Sequence, residues 1–264
     1  MKKLARVGLV GTGRLAHGLA TACLRAGTEI ATVYGRSEIR VRTWCDALPK
    51  AHPNVRVLHA LEDAPTDLDA YLLAVTDDAL HEVASALPEG VLRIHFAGAG
   101  PAELPGGDVA VVWPIQSFAL AREVDWDSTH TVVSSKSKQP GALAHAWATS
   151  FAASATFVSE EARMRAHAAA VFASNYSNRM FTHAQDLAEA SGLPWEAFMP
   201  LVDAAYTAAS TGHSDRYQTG PARRGDRSTL ARHLALLSDR PALAALYTAC
   251  AKDLLPPETD ATTC

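Results

Sequence analysis

Apolar positions along the chain fall into two different rhythms. Through the first half, short runs rich in Val, Ile and Leu recur: RVGLV at 6–10, EIATVY at 29–34, VRVL at 55–58, AYLLAV at 70–75, VLRIHF at 91–96 and DVAVV at 108–112. Each is too short for a helix and rich enough in β-branched residues to predict a buried strand. Between them, residues 14–26, 37–48 and 77–87 carry Ala and Leu at helical spacing. Strand and helix in alternation predict an α/β fold, a doubly wound and mainly parallel sheet with crossover helices. The runs THTVVS at 129–134 and ATFVS at 155–159 predict the last strands and close a first domain over 1–158.

From Ser159 the strand-like runs stop and Ala-rich segments take over. Ser159 suits a helix cap, and Glu160 and Glu161 suit the positive end of its dipole. The helical pattern then runs to Gly192, which predicts one largely buried helix of roughly 30 residues and about 45 Å. Pro194 suits the start of a second helix, Trp195 to Ala209, with Pro200 a place for a kink. Further helices are expected from Asp226, as cap behind a permissive Gly225, to Ser238, and from Pro241 to Leu255. These elements predict an all-helical substrate and dimerisation domain over 159–256 and a flexible tail over 257–264.

At 264 residues, 48% hydrophobic and 20% charged, the chain has the balance of a soluble globular protein with room for two cores. Its net charge of -4 offers no basic excess to attract nucleic acid or an anionic membrane. No apolar run approaches the roughly 20 residues of a membrane span. The start MKKLARVGLV is interrupted at Gly11, Thr12, Gly13 and Arg14 before it could serve as a secretion signal. Cys23, Cys45, Cys250 and Cys264 lack metal-site or disulfide spacing, so free thiols in a reducing cytoplasm are expected.

Against this background one motif carries chemistry. Gly11-Thr12-Gly13-Arg14-Leu15-Ala16 is a GxGxxA turn directly between a strand and a helix. Glycines there permit a tight turn and close approach of a pyrophosphate, and the helix N-terminus offers free N–H groups. An NAD site needs an acid at the end of the second strand, where this chain has Gly35, Arg36 and Ser37. Arg36 and Ser37 can instead bind a 2′-phosphate, which predicts NADP(H); the alternative is a solvated loop arginine. Val75 and Thr76, after the fourth strand, should also face the cofactor, whereas Asp77 is explained as a helix cap.

In the helical half, His167, Ser174, Asn175, Asn178, Thr182 and Gln185, together with Val171, fall within a sector of about 100° when wound at helical pitch. His167 and Asn175 are candidate catalytic groups that hold or protonate a substrate heteroatom, and Asn178 joins them as a substrate contact. A satisfied histidine and interface amides are the alternative. Arg224, in QTGPARRGDRS, is a candidate clamp for a substrate carboxylate or the cofactor phosphates, with a pair of solvated arginines, Arg223 and Arg224, as the alternative.

Taken in order, GTGRLA, VYGRS, LAVTDDAL, HFAGAG, WPIQSF, HAAAVFASNYSN and QTGPARRGDRSTLARHL resemble a family of Rossmann-like oxidoreductases with an uncharacterised all-helical C-terminal domain. Its wider superfamily includes phosphogluconate dehydrogenase, hydroxyisobutyrate dehydrogenase, ketopantoate reductase and pyrroline-carboxylate reductase. The resemblance implies NADP-dependent reduction of a small keto acid or imine between two domains, and a homodimer formed through the helical half. Several such relatives carry a Lys four residues before the helix Asn, where this chain has Val171 before Asn175. His-Pro and Ser-Gly positions are Trp113-Pro114 and Ala97-Gly98, while His95, Gln116 and Ser117 remain, the last two as further candidate substrate contacts. A non-catalytic NADP sensor and a deazaflavin-linked NADP reductase stay open as alternatives.

Overall fold

The computed structural model describes residues 3–48, 55–118 and 123–256, which divide into two compact units, one ending at Ala173 and the other beginning at Ser174. In the first unit, strands β1 (Arg6–Val10), β2 (Glu29–Tyr34), β3 (Arg56–Val57), β4 (Ala70–Leu73), β5 (Leu92–His95), β6 (Val109–Pro114), β7 (His130–Ser134) and β8 (Ser154–Phe157) form one sheet. Their order is β3-β2-β1-β4-β5-β6-β7-β8. All neighbours run parallel except β6 and β7. Strands β4, β5 and β6 are buried at every position, which is why they read as continuous apolar runs.

Helices α1 (Arg14–Ala26), α2 (Glu38–Asp46), α3 (Leu80–Ala86), α4 (Lys138–Thr149) and α5 (Glu160–Ala170) accompany the sheet. Alternation along β4 splits the core, because Leu72 packs with Leu19, Ile94 and Trp147 while Tyr71 and Leu73 pack with Leu80 and Ala84. Helix α4 is absent from the sequence pattern, masked by Pro140 and Gly141. Proline in a first turn lacks only an N–H that the helix does not use, so α4 forms and buries Ala144, Trp147 and Ala148. A 3₁₀ turn at Asp77–Ala79 precedes α3 with Thr76 in the cap position and no side-chain cap bond, so Asp77 is not the expected cap.

Ser159 caps α5 by accepting from the Ala162 N–H at 3.2 Å. The first unit nevertheless runs on past this point, because Ala166 and Ala170 pack on Val111, Trp113 and Val132. Residues Val171–Tyr176 wind as a π-helical turn before α6 (Ser177–Ala190), so the expected long helical run is present with an interruption.

The second unit continues with α7 (Met199–Ser210), α8 (Arg227–Leu236) and α9 (Pro241–Leu254). Trp195–Phe198 is a 3₁₀ turn, and Pro200 lies in the first turn of α7, where it starts that helix rather than kinking a longer one. Asp226 caps α8 through the Thr229 N–H at 3.0 Å, with Gly225 at φ 70° before it. The expectation of a largely buried long helix does not hold in the single chain: α5 buries Arg163, α6 buries Ala188, and the π turn buries nothing. No helix of the described residues is long and apolar enough to cross a membrane. The tail 257–264, with Cys264, lies outside the described residues.

Candidate active site

Strand β1 lies between β2 and β4, so the chain leaves it at the point where the sheet changes direction of winding. In parallel sheets this is where a crevice opens beyond the carboxyl ends of the strands. Gly11 sits there at φ 111° and donates its N–H to the Tyr34 carbonyl at 2.8 Å. A Cβ on Gly11 would overlap the Ala74 carbonyl oxygen. Gly13 occupies the cap position of α1 with no side-chain cap, no acid in the first turn and no atom within 4 Å of where its Cβ would stand. The N–H groups of Arg14, Leu15 and Ala16 thus begin a helix with an open end.

A Cβ on Gly35 would lie 3.4 Å from the Thr12 side chain, so the end of β2 packs beside the turn. Arg36 is exposed and Ser37 caps α2, its hydroxyl 3.5 Å from the Arg40 N–H. The nearest following acid, Glu38, is held by Arg42 at 2.6 Å, a contact that lowers its pKa. Val75, half-buried, and exposed Thr76 follow Ala74 on the other flank of Gly11. An open helix end, a turn with no room for a Cβ and a cation with a hydroxyl in place of a carboxylate fit a dinucleotide with a phosphorylated ribose.

A second cluster lies beyond the carboxyl ends of β5 and β6. The half-buried His167 ring meets Trp113 edge-on, with centroids 5.3 Å apart and planes at 65°. It rests on Gly98, where a Cβ would overlap the imidazole and come within 2.9 Å of Trp113. One turn before His167, fully buried Arg163 donates to the carbonyls of Gly98 at 2.5 Å, Gly100 at 2.8 Å and Ala97 at 3.3 Å, and to Ser134 Oγ at 2.9 Å. Sequence reasoning passed over Arg163; the signal was its position four residues before His167, on the same helix face.

His95 belongs to the scaffold of this cluster. Its Nε2–H donates to the Pro101 carbonyl at 2.7 Å and its Nδ1 accepts from the Ala97 N–H at 3.3 Å. Burial pulls its pKa down to about 4, with the Arg163 charge adding to the effect against the Pro101 bond. The ring is neutral near pH 7. Cys23, whose thiol burial pushes up to about 12, is inert.

The other candidates are less gathered. Gln116 and Ser117 are exposed beyond β6, and Gln116 Oε1 accepts from the Ser117 N–H at 2.8 Å. Asn175, in the π turn, and Asn178 are exposed, as is Arg224 before α8. A π turn takes in an extra residue and rotates the side chains beyond it by about 100°, so the single stripe laid out at constant pitch does not continue through it.

Residues 6–95 match a family model described as coenzyme F420-dependent NADP oxidoreductase, and residues 129–254 match a domain of unknown function, DUF2520. The match over residues 6–95 supports an NAD(P)-dependent oxidoreductase. A Bacteroides fragilis structure described as an NADP oxidoreductase is 28% identical, with a TM-score of 0.79 and coverage of 95% of this chain and 97% of that one. An imine reductase from Streptomyces aurantiacus aligns at 14% identity, TM-score 0.67, over 94% and 95% of the two chains. A reductive aminase from Aspergillus terreus, solved with NADPH and ethyl-5-oxohexanoate, aligns at 15% identity, TM-score 0.61, over 97% and 90%. No curated protein matches the chain.

Proposed function

We propose that this NADP oxidoreductase reduces a small keto acid or an imine, in the cytoplasm and as a homodimer. The reading rests on one observation above the rest: an open glycine turn at the sheet's switch point stands beside a strand end carrying Arg36 and Ser37 where an NAD site needs an acid. The Gly11–Ala16 turn would hold the pyrophosphate through its N–H groups, Arg36 and Ser37 the 2′-phosphate, and Val75 and Thr76 the adjoining surface. Bound NADPH supplies a hydride, two electrons delivered to a carbonyl or iminium carbon.

His167 is placed in the role of orienting the substrate heteroatom or giving it the proton that balances the hydride. An iminium substrate already carries its proton, and His167 then only orients it. That division of labour accommodates Val171 where relatives of the wider superfamily have a lysine. Asn175, Asn178, Arg224, Gln116 and Ser117 are proposed substrate contacts. The dimer is supported by α7 and α9, apolar helices that bury none of their own residues in the single chain.

NADPH absorbance monitored against a panel of 2-keto acids, ketopantoate first, and cyclic imines tests the proposal. Turnover with one class, reduced roughly a hundredfold by His167→Ala, is the expected result. Cofactor binding without any turnover would mark a sensor and overturn it. Arg36→Ala should weaken NADPH roughly tenfold while leaving NADH unchanged, since only NADPH carries the phosphate. The description of the family matched over 6–95 favours one second reading, hydride exchange between NADP and a deazaflavin. Reduction of a deazaflavin with no activity on the panel would establish it.

A further inference from the structure

Arg163 is out of solvent entirely, and the carboxylate nearest to it, Glu160, stands 4.0 Å away. Its N–H groups go instead to neutral acceptors, the Ser134 hydroxyl and the carbonyls of Ala97, Gly98 and Gly100. A buried cation without a close counter-charge is costly, and apolar replacements of buried ions are often neutral or stabilising. Stability is therefore a poor reason for an arginine at this position. What the planar fork does well is gather several carbonyls of one turn onto a rigid group.

That turn is the seat of His167. Gly98 has no Cβ because the imidazole occupies the space, and Trp113 closes the other side. Arg163 and His167 stand four residues apart on α5, so one helix face carries both the clamp and the ring it serves. His95 ties the same turn from within through Pro101 and Ala97. Arg93 provides the contrast: it too is fully buried on backbone carbonyls, those of Val91 at 2.6 Å and Pro88 at 3.0 Å among them. It lies toward the amino end of β5, away from the carboxyl edge, and ties down the end of α3 and the connection that follows it.

We propose that Arg163 is a positioning residue of the reaction: by clamping the Ala97–Gly100 turn it fixes the seat of the His167 ring, and so acts on the chemical step and not on cofactor affinity. The proposal rests on the reading of His167 given above. It is tested in the full-length protein with Arg163→Gln, Arg163→Lys, Gly98→Ala, His167→Ala and the Arg163→Gln/His167→Ala double variant. NADPH affinity is read by fluorescence, kcat with the best substrate of the panel or with 2-methyl-1-pyrroline, and the His167 ring by its NMR resonances, which Trp113 displaces.

Arg163→Gln should lower kcat roughly tenfold or more with NADPH affinity nearly unchanged, and should abolish the displacement of the ring resonances. Arg163→Lys should recover part of both. The double variant should be no slower than His167→Ala, since the clamp has no further purpose without the ring. Wild-type ring resonances in folded Arg163→Gln, or fully additive losses, would overturn the proposal. Should Arg163→Gln not fold, Gly98→Ala keeps the clamp and evicts the ring; the same loss of kcat and of ring displacement supports the seat, and their persistence refutes it. Full turnover by His167→Ala sinks the role given to His167, whereas the ring resonances still decide whether Arg163 seats it.

Discussion

The two units bury their apolar residues on different terms. In the sheet unit the central strands are covered on both faces, and Leu9, Ile30, Leu72, Ile94 and Val112 are all within 1% of full burial. In the helical unit the buried apolar residues among those described are Ala188, Ala222, Leu230 and Leu237, while Leu201 is 69% exposed, Tyr206 75% and Leu236 78%. One unit is finished by its own chain; the other presents a surface that a single chain does not cover. The proposed site residues divide along the same line, for the first unit holds the glycine turn and the His167 seat, and the second carries Asn175, Asn178 and Arg224.

The strongest way to break this contrast is to charge the open face. Leu201→Lys with Tyr206→Lys should turn a dimer into a monomer in light scattering, each buried side chain being worth about 1.5–3 kcal/mol. A wild-type protein that is already monomeric, or a double variant still dimeric, would dissolve the distinction.

Next in size is a pH effect confined to the sheet unit. His95 has a folded pKa of about 4 against an ordinary 6.5, so the unfolded chain takes up the extra proton between those values. Stability is therefore complete above about pH 6.5 and falls as pH drops toward 4, by about 3 kcal/mol over the window. Denaturation midpoints measured from pH 7 to pH 4 should show this decline in the wild type and a flatter one in His95→Gln, which keeps a donor for Pro101 and cannot titrate. Equal slopes would remove His95 as the cause.

A smaller effect separates two glycines of one turn. Gly13→Ala adds a methyl into open space, so the melting temperature should hold while NADPH affinity drops roughly tenfold, about 1.4 kcal/mol. Gly11→Ala meets the Ala74 carbonyl at a positive φ and should destabilise the fold itself. Matching losses of stability in both would mean that Gly13 is structural.

Periodicity made the sheet unit legible, because burial on both faces writes continuous apolar runs and because glycine positions carry a steric meaning on their own. Helix α4 escaped notice since Pro140 and Gly141 look like breakers until the helix register shows that the first turn tolerates them. Along the run from Glu160 to Ala190, a constant pitch placed His167, Asn175 and Asn178 on one stripe, and the π turn is invisible to such a count.

The sequence by itself determined the alternation of strands and helices, the glycine turn with its acid-free strand end, and the caps at Ser159 and Asp226. These depend on neighbours within a few positions, where backbone geometry and residue type are directly coupled. Only the tertiary structure decided that His95 is neutral scaffold, that Arg163 reaches back to the turn after β5 and that the imidazole of His167 lies on Gly98. The last two outcomes join residues more than sixty positions apart, and only the packed sheet brings their atoms within hydrogen-bonding or contact distance.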